Sequence, residues 1–386
     1  MSGLYLHIPF CKSRCNYCDF YSDTDESQID RFVECLCVEV KRLIKKQAIT
    51  TLYFGGGTPS RLRQAHFEKI FATLFNEFSI APNAEITLEA NPDDLSPDYI
   101  RMLSAFPINR LSIGIQSFND KELQFLNRRH SAQQAIKAVK NVQNAGFHNI
   151  SIDLMYGLPY QSIDDWQKNL QQALALQIQH VSAYHLIYEE DTKMYSLLQS
   201  GKINPLDEQL SNEMFSILVN TLTTNGFIHY EISNFALPTR FSQHNSSYWL
   251  GAPYIGLGAA AHSFDGDTRS WNVSSMRQYI EAIESKAPYQ TVERLSVADK
   301  YNEFILTGLR TMWGVDLEKL RDAFGKTLFA FCMQNAQRYI DNQLLEMKNN
   351  TLVLSREGIF ISDGIISDLM FVELENADDT DSTDFR

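Results

Sequence analysis

The sequence predicts an α/β fold: a parallel sheet with helices outside it, closed or partly closed into a (β/α) barrel, followed by a smaller, mainly helical unit. Three observations carry this expectation. Short apolar runs of strand type alternate with stretches of helical periodicity, the pattern of successive βα units. Each run ends in a distinct polar or glycine-rich cluster, as barrel strands do when their carboxyl ends form one site. From about Ser296 a new and mostly helical pattern begins.

The first expected strand is Leu4 to Ile8, which feeds a cysteine-rich loop. From Glu26 to Lys46 the apolar residues Ile29, Phe32, Val33, Leu36, Val40, Leu43 and Ile44 recur at helical spacing. Thr51 to Phe54 is a strand cut off by Gly55-Gly56-Gly57-Thr58-Pro59, and a helix follows from Arg61 to Phe78. Strands are then expected at Glu85–Ala90, Arg110–Ile115, Ile150–Tyr156 and Val181–Leu186, with amphipathic helices between them. Their polar ends are Glu89-Ala90-Asn91-Pro92, Gln116-Ser117, and Asp153 through Gly157-Leu158-Pro159.

After Ile187 the alternation fades. A helix over Leu206–Asn225 and a strand over Phe227–Ile232 precede a loop-rich segment with His244-Asn245-Ser246-Ser247-Tyr248-Trp249, Gly251, Pro253, Gly256 and Gly258. Helices over Tyr301–Thr311, Leu317–Phe324 and Thr327–Gln343, then a short strand at Leu352–Leu354, look like a compact winged-helix-type domain. The last stretch, Glu373 to Arg386, carries six acidic residues and few apolar ones, the composition of a disordered tail. The expected division is therefore a barrel over 1–190, a barrel extension over 191–295, a helical domain over 296–372 and a tail over 373–386.

Composition excludes several function classes. A net charge of −13 argues against nucleic acid as a partner, since that surface needs a basic stripe. The start Met1-Ser2-Gly3-Leu4-Tyr5 lacks the basic and apolar regions of a signal peptide, and no apolar run reaches membrane-spanning length. The expectation is a cytoplasmic protein. Cys35, Cys37 and Cys332 sit in apolar helical patterns and read as reduced core residues.

The chemistry lies in Cys11, Cys15 and Cys18, spaced CxxxCxxC. Three thiolates on one short loop suit three irons of a cubic iron–sulfur cluster and leave a fourth iron open to an exchangeable ligand. A structural zinc site wants four ligands, usually as paired clusters, and no second pair follows. A disulfide framework does not suit a chain of 386 residues without a secretory signal.

With Tyr17 before the last cysteine, this motif resembles the radical S-adenosylmethionine (radical SAM) enzymes, in which the open iron is chelated by the cofactor's amino and carboxylate groups. The preceding Tyr5-Leu6-His7-Ile8-Pro9-Phe10 narrows the resemblance to the branch that holds the oxygen-independent coproporphyrinogen III oxidases and the HemW heme chaperones. It implies a partial six-stranded barrel, a 4Fe-4S cluster, and cleavage of the bound cofactor to a 5′-deoxyadenosyl radical. It also implies contacts to S-adenosylmethionine from Gly56, Gly57 and Thr58, Glu89, Gln116, Arg128 and Asp153, with Tyr5 and Tyr17 flanking and Ile187 over the adenine. Arg129 stands beside Arg128, and a shift of one residue exchanges them.

Each of these has a bland alternative. Three glycines make a sharp turn as readily as a ligand cradle, because glycine accepts positive φ and has no Cβ. A carboxylate such as Glu89 on an apolar strand needs a partner, and an internal ion pair would serve as well as a ribose hydroxyl. Gln116 and Asp153 have the same double reading.

Two features divide the branch. The oxidases continue as CxxxCxxCxC, and Phe20 stands where their additional cysteine would be. His244, Asn245, Tyr248 and Trp249 match the HNxxYW element associated with heme in the chaperones. An imidazole can be an axial ligand and the two aromatics offer flat faces, although a lone histidine followed by aromatics is more often a packed turn. Arg310 resembles the family's C-terminal domain without an assignable role, and His262 is the expected substitute ligand. The implied function is that of a heme chaperone rather than an oxidase, with the oxidase as the alternative. The implied partners are a heme acceptor protein and an electron donor such as flavodoxin or ferredoxin, with weak membrane association through the acceptor.

Overall fold

The computed structural model describes residues 2–43 and 48–372. The residues up to Glu293 form one compact unit and those from Arg294 a second.

The first unit is built on six parallel strands in consecutive order. In chain order its elements are β1 (Ser2–Ile8), α1 (Ile29–Arg42), β2 (Ala48–Gly56), α2 (Gln64–Glu77), β3 (Ser79–Ala90), α3 (Pro97–Leu103), β4 (Arg110–Gln116), α4 (Asp120–Phe125), α5 (Ala132–Asn144), β5 (Ile150–Tyr156), α6 (Ile163–Ala175) and β6 (His180–His185). The helix expected over 26–46 begins at Ile29, after a 3₁₀ turn, and its end at Ile44–Lys46 falls outside the described residues. Apolar side chains seal helices to sheet. Phe54 of β2 meets Phe67 and Phe71 of α2 at 6.0 and 5.5 Å. Full burial of such side chains contributes about 1.5–3 kcal/mol each.

The chain then extends this sheet at both edges. After α7 (Lys193–Gln199) and α8 (Glu208–Thr224), the hairpin β7 (Ile228–Glu231) and β8 (Asn234–Ala236) joins antiparallel beside β6. After α9 (Gln243–Trp249), β9 (Tyr254–Leu257) lies parallel to β1, followed outward by β10 (His262–Phe264), β11 (Thr268–Asn272) and, after α10 (Met276–Ser285), β12 (Gln290–Arg294). The segment expected to be loop-rich is therefore structured. Ser242 caps α9 by accepting from the Asn245 amide. Gly256 lets β9 approach its neighbour, since a Cβ there would lie 2.0 Å from the His262 carbonyl oxygen.

The second unit packs α11 (Val297–Leu309), β13 (Val315–Asp316), α12 (Leu317–Asp341), the hairpin β14 (Leu345–Lys348) and β15 (Thr351–Leu354), α13 (Arg356–Ile359) and α14 (Ser362–Leu369) around Tyr301, Ile305, Leu320, Cys332 and Ile365. α12 is two helices meeting at Gly325 (φ 79°), at the break the sequence indicates. The hairpin replaces the single expected strand and gives a three-stranded sheet beside the helices. The acidic stretch 373–386 lies outside the described residues.

Candidate functional site

A cavity of about 450 Å³ opens at the carboxyl ends of the parallel strands. Cys11, Cys15, Tyr17 and Cys18 form one wall, in the loop after β1. Gly56 at the end of β2 with Gly57 and Thr58 after it, Glu89 and Asn91 at the end of β3, Gln116 of β4, Asp153 of β5 and Arg128 contribute the rest.

The cysteine loop is anchored at its base and along its length. Phe10 is fully buried against Phe32 at 5.4 Å, and Asp23 pairs across the loop with Pro9 and Cys11 through backbone bonds of 2.6 and 2.8 Å. The Asn16 amide side chain donates to the Phe125 carbonyl at 2.7 Å, and Asn127 donates to the Arg14 carbonyl at 2.7 Å. A chain of hydrogen bonds then links two cysteines across the cavity wall. Cys11 Sγ lies 3.3 Å from Thr58 Oγ1, which accepts from Asn91 at 3.2 Å. Asn91 Oδ1 accepts from Arg128 Nη2 at 2.5 Å, and Arg128 Nη1 donates to Cys15 Sγ at 3.3 Å. Arg128 also donates to the Gly114 carbonyl.

Among the described residues, no three His, Cys, Asp or Glu side chains converge as ligands of a single metal ion. A cubic cluster does not require that convergence, because each thiolate takes a different iron. Burial pushes the Cys18 thiol up to about 11 and raises Cys11, so loading a metal here must release protons. Burial also raises the Tyr17 hydroxyl, against the opposing charge of Arg128.

The glycine turn passes directly under this loop. Gly56 has φ 109°, and a Cβ on it would lie 2.8 Å from the His7 ring. The Gly57 amide donates to the Ile8 carbonyl at 2.9 Å. Gln116 also has positive φ, 69°, an uncommon conformation for a side chain of this type. Buried Glu122 fixes the turn behind it, accepting from Ser117 at 2.5 Å and from Gln161 and Asn169 at 3.1 Å each.

Two carboxylates lie at the cavity floor. Tyr53 donates to Glu89 at 2.7 Å, and burial pushes this carboxyl up to about 7, with Asp153 adding to the rise. Burial carries Asp153 to about 6 against the lowering effect of Arg110. Arg128 and Arg129 separate clearly. Arg128 lines the cavity, whereas Arg129 pairs with Asp93 at 3.1 Å.

The structure does not bring every expected residue to this cavity. Tyr5 lies beneath Gly55, within hydrogen-bond distance of His7 Nδ1 at 3.1 Å. His244, Asn245, Tyr248 and Trp249 belong to α9, which packs toward the amino ends of β1–β3. His244, the expected axial ligand, is packed on this helix. Its ring is 1% exposed, Nδ1 is 2.8 Å from Thr51 Oγ1, Nε2 is 2.7 Å from the Tyr248 hydroxyl, and its face stacks on Tyr53 at 5.0 Å. Burial lowers its pKa to about 3, so the ring is neutral and both nitrogens are engaged.

Sequence reasoning placed Asn91 in a strand-end cluster without a role and missed Ser112, Tyr184 and His185 as cavity residues. The last two end β6, so the strand-end rule applied to Val181–Leu186 would have found them. Phe20 and Ile187 stand at the cavity rim, each 64% exposed.

Comparison with known proteins agrees with this architecture. Residues 5–173 match the model of the Radical SAM superfamily, and residues 295–361 match that of the HemN C-terminal domain. The chain is 32% identical to the heme chaperone HemW of Bacillus subtilis, over 93% of this chain and 96% of the relative. It is 33% identical to the heme chaperone HemW of Synechocystis, over 97% of each. The mitochondrial radical S-adenosyl methionine domain-containing protein 1 of Danio rerio is 31% identical over 97% of this chain and 88% of the relative. The fold superposes on coproporphyrinogen III oxidase (HemN) from Escherichia coli with a TM-score of 0.83, 22% identity, and coverage of 95% of this chain and 89% of that one. Barrel topology, cysteine loop and near full-length likeness agree: the chain belongs to the HemW family of the radical SAM superfamily.

Proposed function

We propose that the protein is a heme carrier that holds a 4Fe-4S cluster on Cys11, Cys15 and Cys18, binds S-adenosylmethionine in the adjoining cavity, and passes heme to an acceptor protein. The observation that carries the cofactor reading is the wall of three cysteines beside a cavity floored by Glu89 and Asp153. The donor set fits: soft thiolates suit the cluster, Gly56 and Gly57 line the cavity without side chains, and the two carboxylates suit hydroxyl and amino groups. Gln116, Arg128, Thr58 and Tyr17 complete the contacts to the cofactor. When bound, the cluster supplies one electron to S-adenosylmethionine, delivered by a flavodoxin- or ferredoxin-type donor.

The heme reading is supported by the name that the bacterial relatives carry. Ligation by His244 requires one ring nitrogen to give up its partner, Tyr248 at Nε2 or Thr51 at Nδ1, while the other keeps its hydrogen bond. His262 is an exposed imidazole stacked on Trp271 at 6.0 Å and is the alternative ligand. The oxidase reading is disfavoured by Phe20, which puts an exposed aromatic where those enzymes resemble this chain but carry a cysteine. The test is anaerobic reconstitution followed by titration with S-adenosylmethionine and with heme. Saturable binding of each at about one equivalent supports the reading, and failure of both to bind to iron-loaded protein rejects it.

A further inference from the structure

Beneath the cavity floor the barrel lumen is charged. On β4, Arg110, Ser112 and Gly114 share one face, and the last two line the cavity. On β3, Glu85, Thr87 and Glu89 share a face in the same way, with Thr87 in register with Arg110. Arg110 is therefore one layer below the floor. It is 1% exposed, and its Nε has no hydrogen-bond partner among the described residues. The same holds for Thr87 Oγ1 and Glu85 Oε2. Burying a guanidinium without full hydrogen bonding is costly, so the charge calls for a compensating role.

The charged groups around it indicate that role. Arg110 acts on Glu89 of β3 and Asp153 of β5, opposing in both the rise that burial imposes. It also faces Tyr53 of β2, His180 of β6, Tyr230 of β7 and His244 of α9. Burial raises those tyrosines and lowers those histidines, leaving all four neutral near pH 7. Glu85 lies on the same face of β3, Glu231 stands farther along beside Tyr230 and Tyr184, and Arg128 is the second cation acting on Asp153.

We propose that Arg110 is a positioning residue for the cofactor: without touching it, Arg110 holds Glu89 and Asp153 available as acceptors at the cavity floor. A protonated carboxyl offers fewer acceptor sites, and no charge, to a ligand that carries a sulfonium cation. The inference rests on the reading that Glu89 and Asp153 receive the cofactor.

Arg110→Gln removes the charge and keeps a polar group, and Arg110→Lys keeps the charge. S-adenosylmethionine affinity is measured by calorimetry from pH 6 to 9 on reconstituted full-length protein, with iron content confirming integrity. The carboxyl infrared band of the protein without S-adenosylmethionine is titrated in parallel, using Glu89→Gln and Asp153→Asn to identify it. In Arg110→Gln the affinity midpoint and the infrared midpoint should both move up by about one pH unit, with about tenfold weaker binding at pH 7 that recovers by pH 9. Arg110→Lys should stay near the parent. Equal loss at every pH, unmoved midpoints, or a Lys variant as weak as the Gln variant would overturn the proposal. Should Arg110→Gln not fold, the neutral pair Arg110→Gln/Glu85→Gln takes its place, with a shift in the same direction but smaller, since a carboxylate on the same face is lost as well. If Glu89→Gln and Asp153→Asn both keep parent affinity, the cofactor reading fails. If they lose affinity while Arg110→Gln shows no shift, the positioning role alone fails.

Discussion

The guanidinium of Arg128 stands 3.3 Å from the sulfur of Cys15, while its other arm holds Asn91 at 2.5 Å. One side chain thus joins the cysteine loop to the ends of β3 and β4, and it faces the cavity that its neighbour Arg129 does not line.

That difference is measurable. Arg128→Met should weaken S-adenosylmethionine binding by about tenfold or more, the worth of one charge-assisted hydrogen bond, and Arg129→Met should leave it within about threefold. Calorimetry on reconstituted protein decides, and equal losses in both variants would contradict the assignment.

The cysteine loop makes a second prediction. Cys11→Ala, Cys15→Ala and Cys18→Ala should each lose most iron and sulfide after anaerobic reconstitution, because two thiolates leave too few anchors. Cys35→Ala serves as the control, since that thiol is buried in the core and outside the cavity. Full iron in all three variants would remove the cluster from the site.

Glu89 makes stability depend on pH. Its carboxyl titrates at about 7 in the fold against an ordinary value of 4.5. Between those values the folded chain keeps a proton that the unfolded chain has lost, so stability falls as pH rises through this window. Asp153 behaves in the same sense, and the two titrate as a pair. Glu89→Gln should therefore be more stable than the parent at pH 8, by about 3 kcal/mol and with a correspondingly higher Tm, and match the parent near pH 4.5. A Tm difference that is constant from pH 4.5 to 8 would show that burial does not control this group.

His244 is predicted to matter for stability as well as for heme. Its ring is packed and holds both Thr51 and Tyr248, so His244→Ala should cost about 2–4 kcal/mol while leaving iron content unchanged. Thermal unfolding and iron analysis test this together. If the same ring is the heme ligand, the Soret band should also shift, and His244→Ala/His262→Ala should lose it. An unchanged Tm would mean that α9 does not depend on the histidine.

The parallel barrel strands were legible because alternating strand and helix periods repeat without interruption, and the polar strand ends marked the cavity. The extension was less legible. β9 contains Gly256 and is followed by Gly258, residues that read as loop, and only pairing with β1 and β10 makes Tyr254–Leu257 a strand. α9 was missed for a related reason: Gln243–Trp249 is two turns long, and its capping serine gives a weak signal. The HNxxYW residues show what spacing cannot tell. A histidine beside aromatics looks the same in sequence whether it is open to a ligand or bonded on both nitrogens, and here it is bonded. The bonds that Asn91 makes were equally hidden, since they depend on Thr58 and Arg128 from separate loops.

Heme binding and porphyrin turnover measured on one iron-loaded sample separate carrier from oxidase most directly. The expected result is a heme complex with a defined Soret band and no decarboxylation of coproporphyrinogen III under reducing conditions with S-adenosylmethionine present. Steady conversion to protoporphyrinogen, with no saturable heme binding, would contradict it.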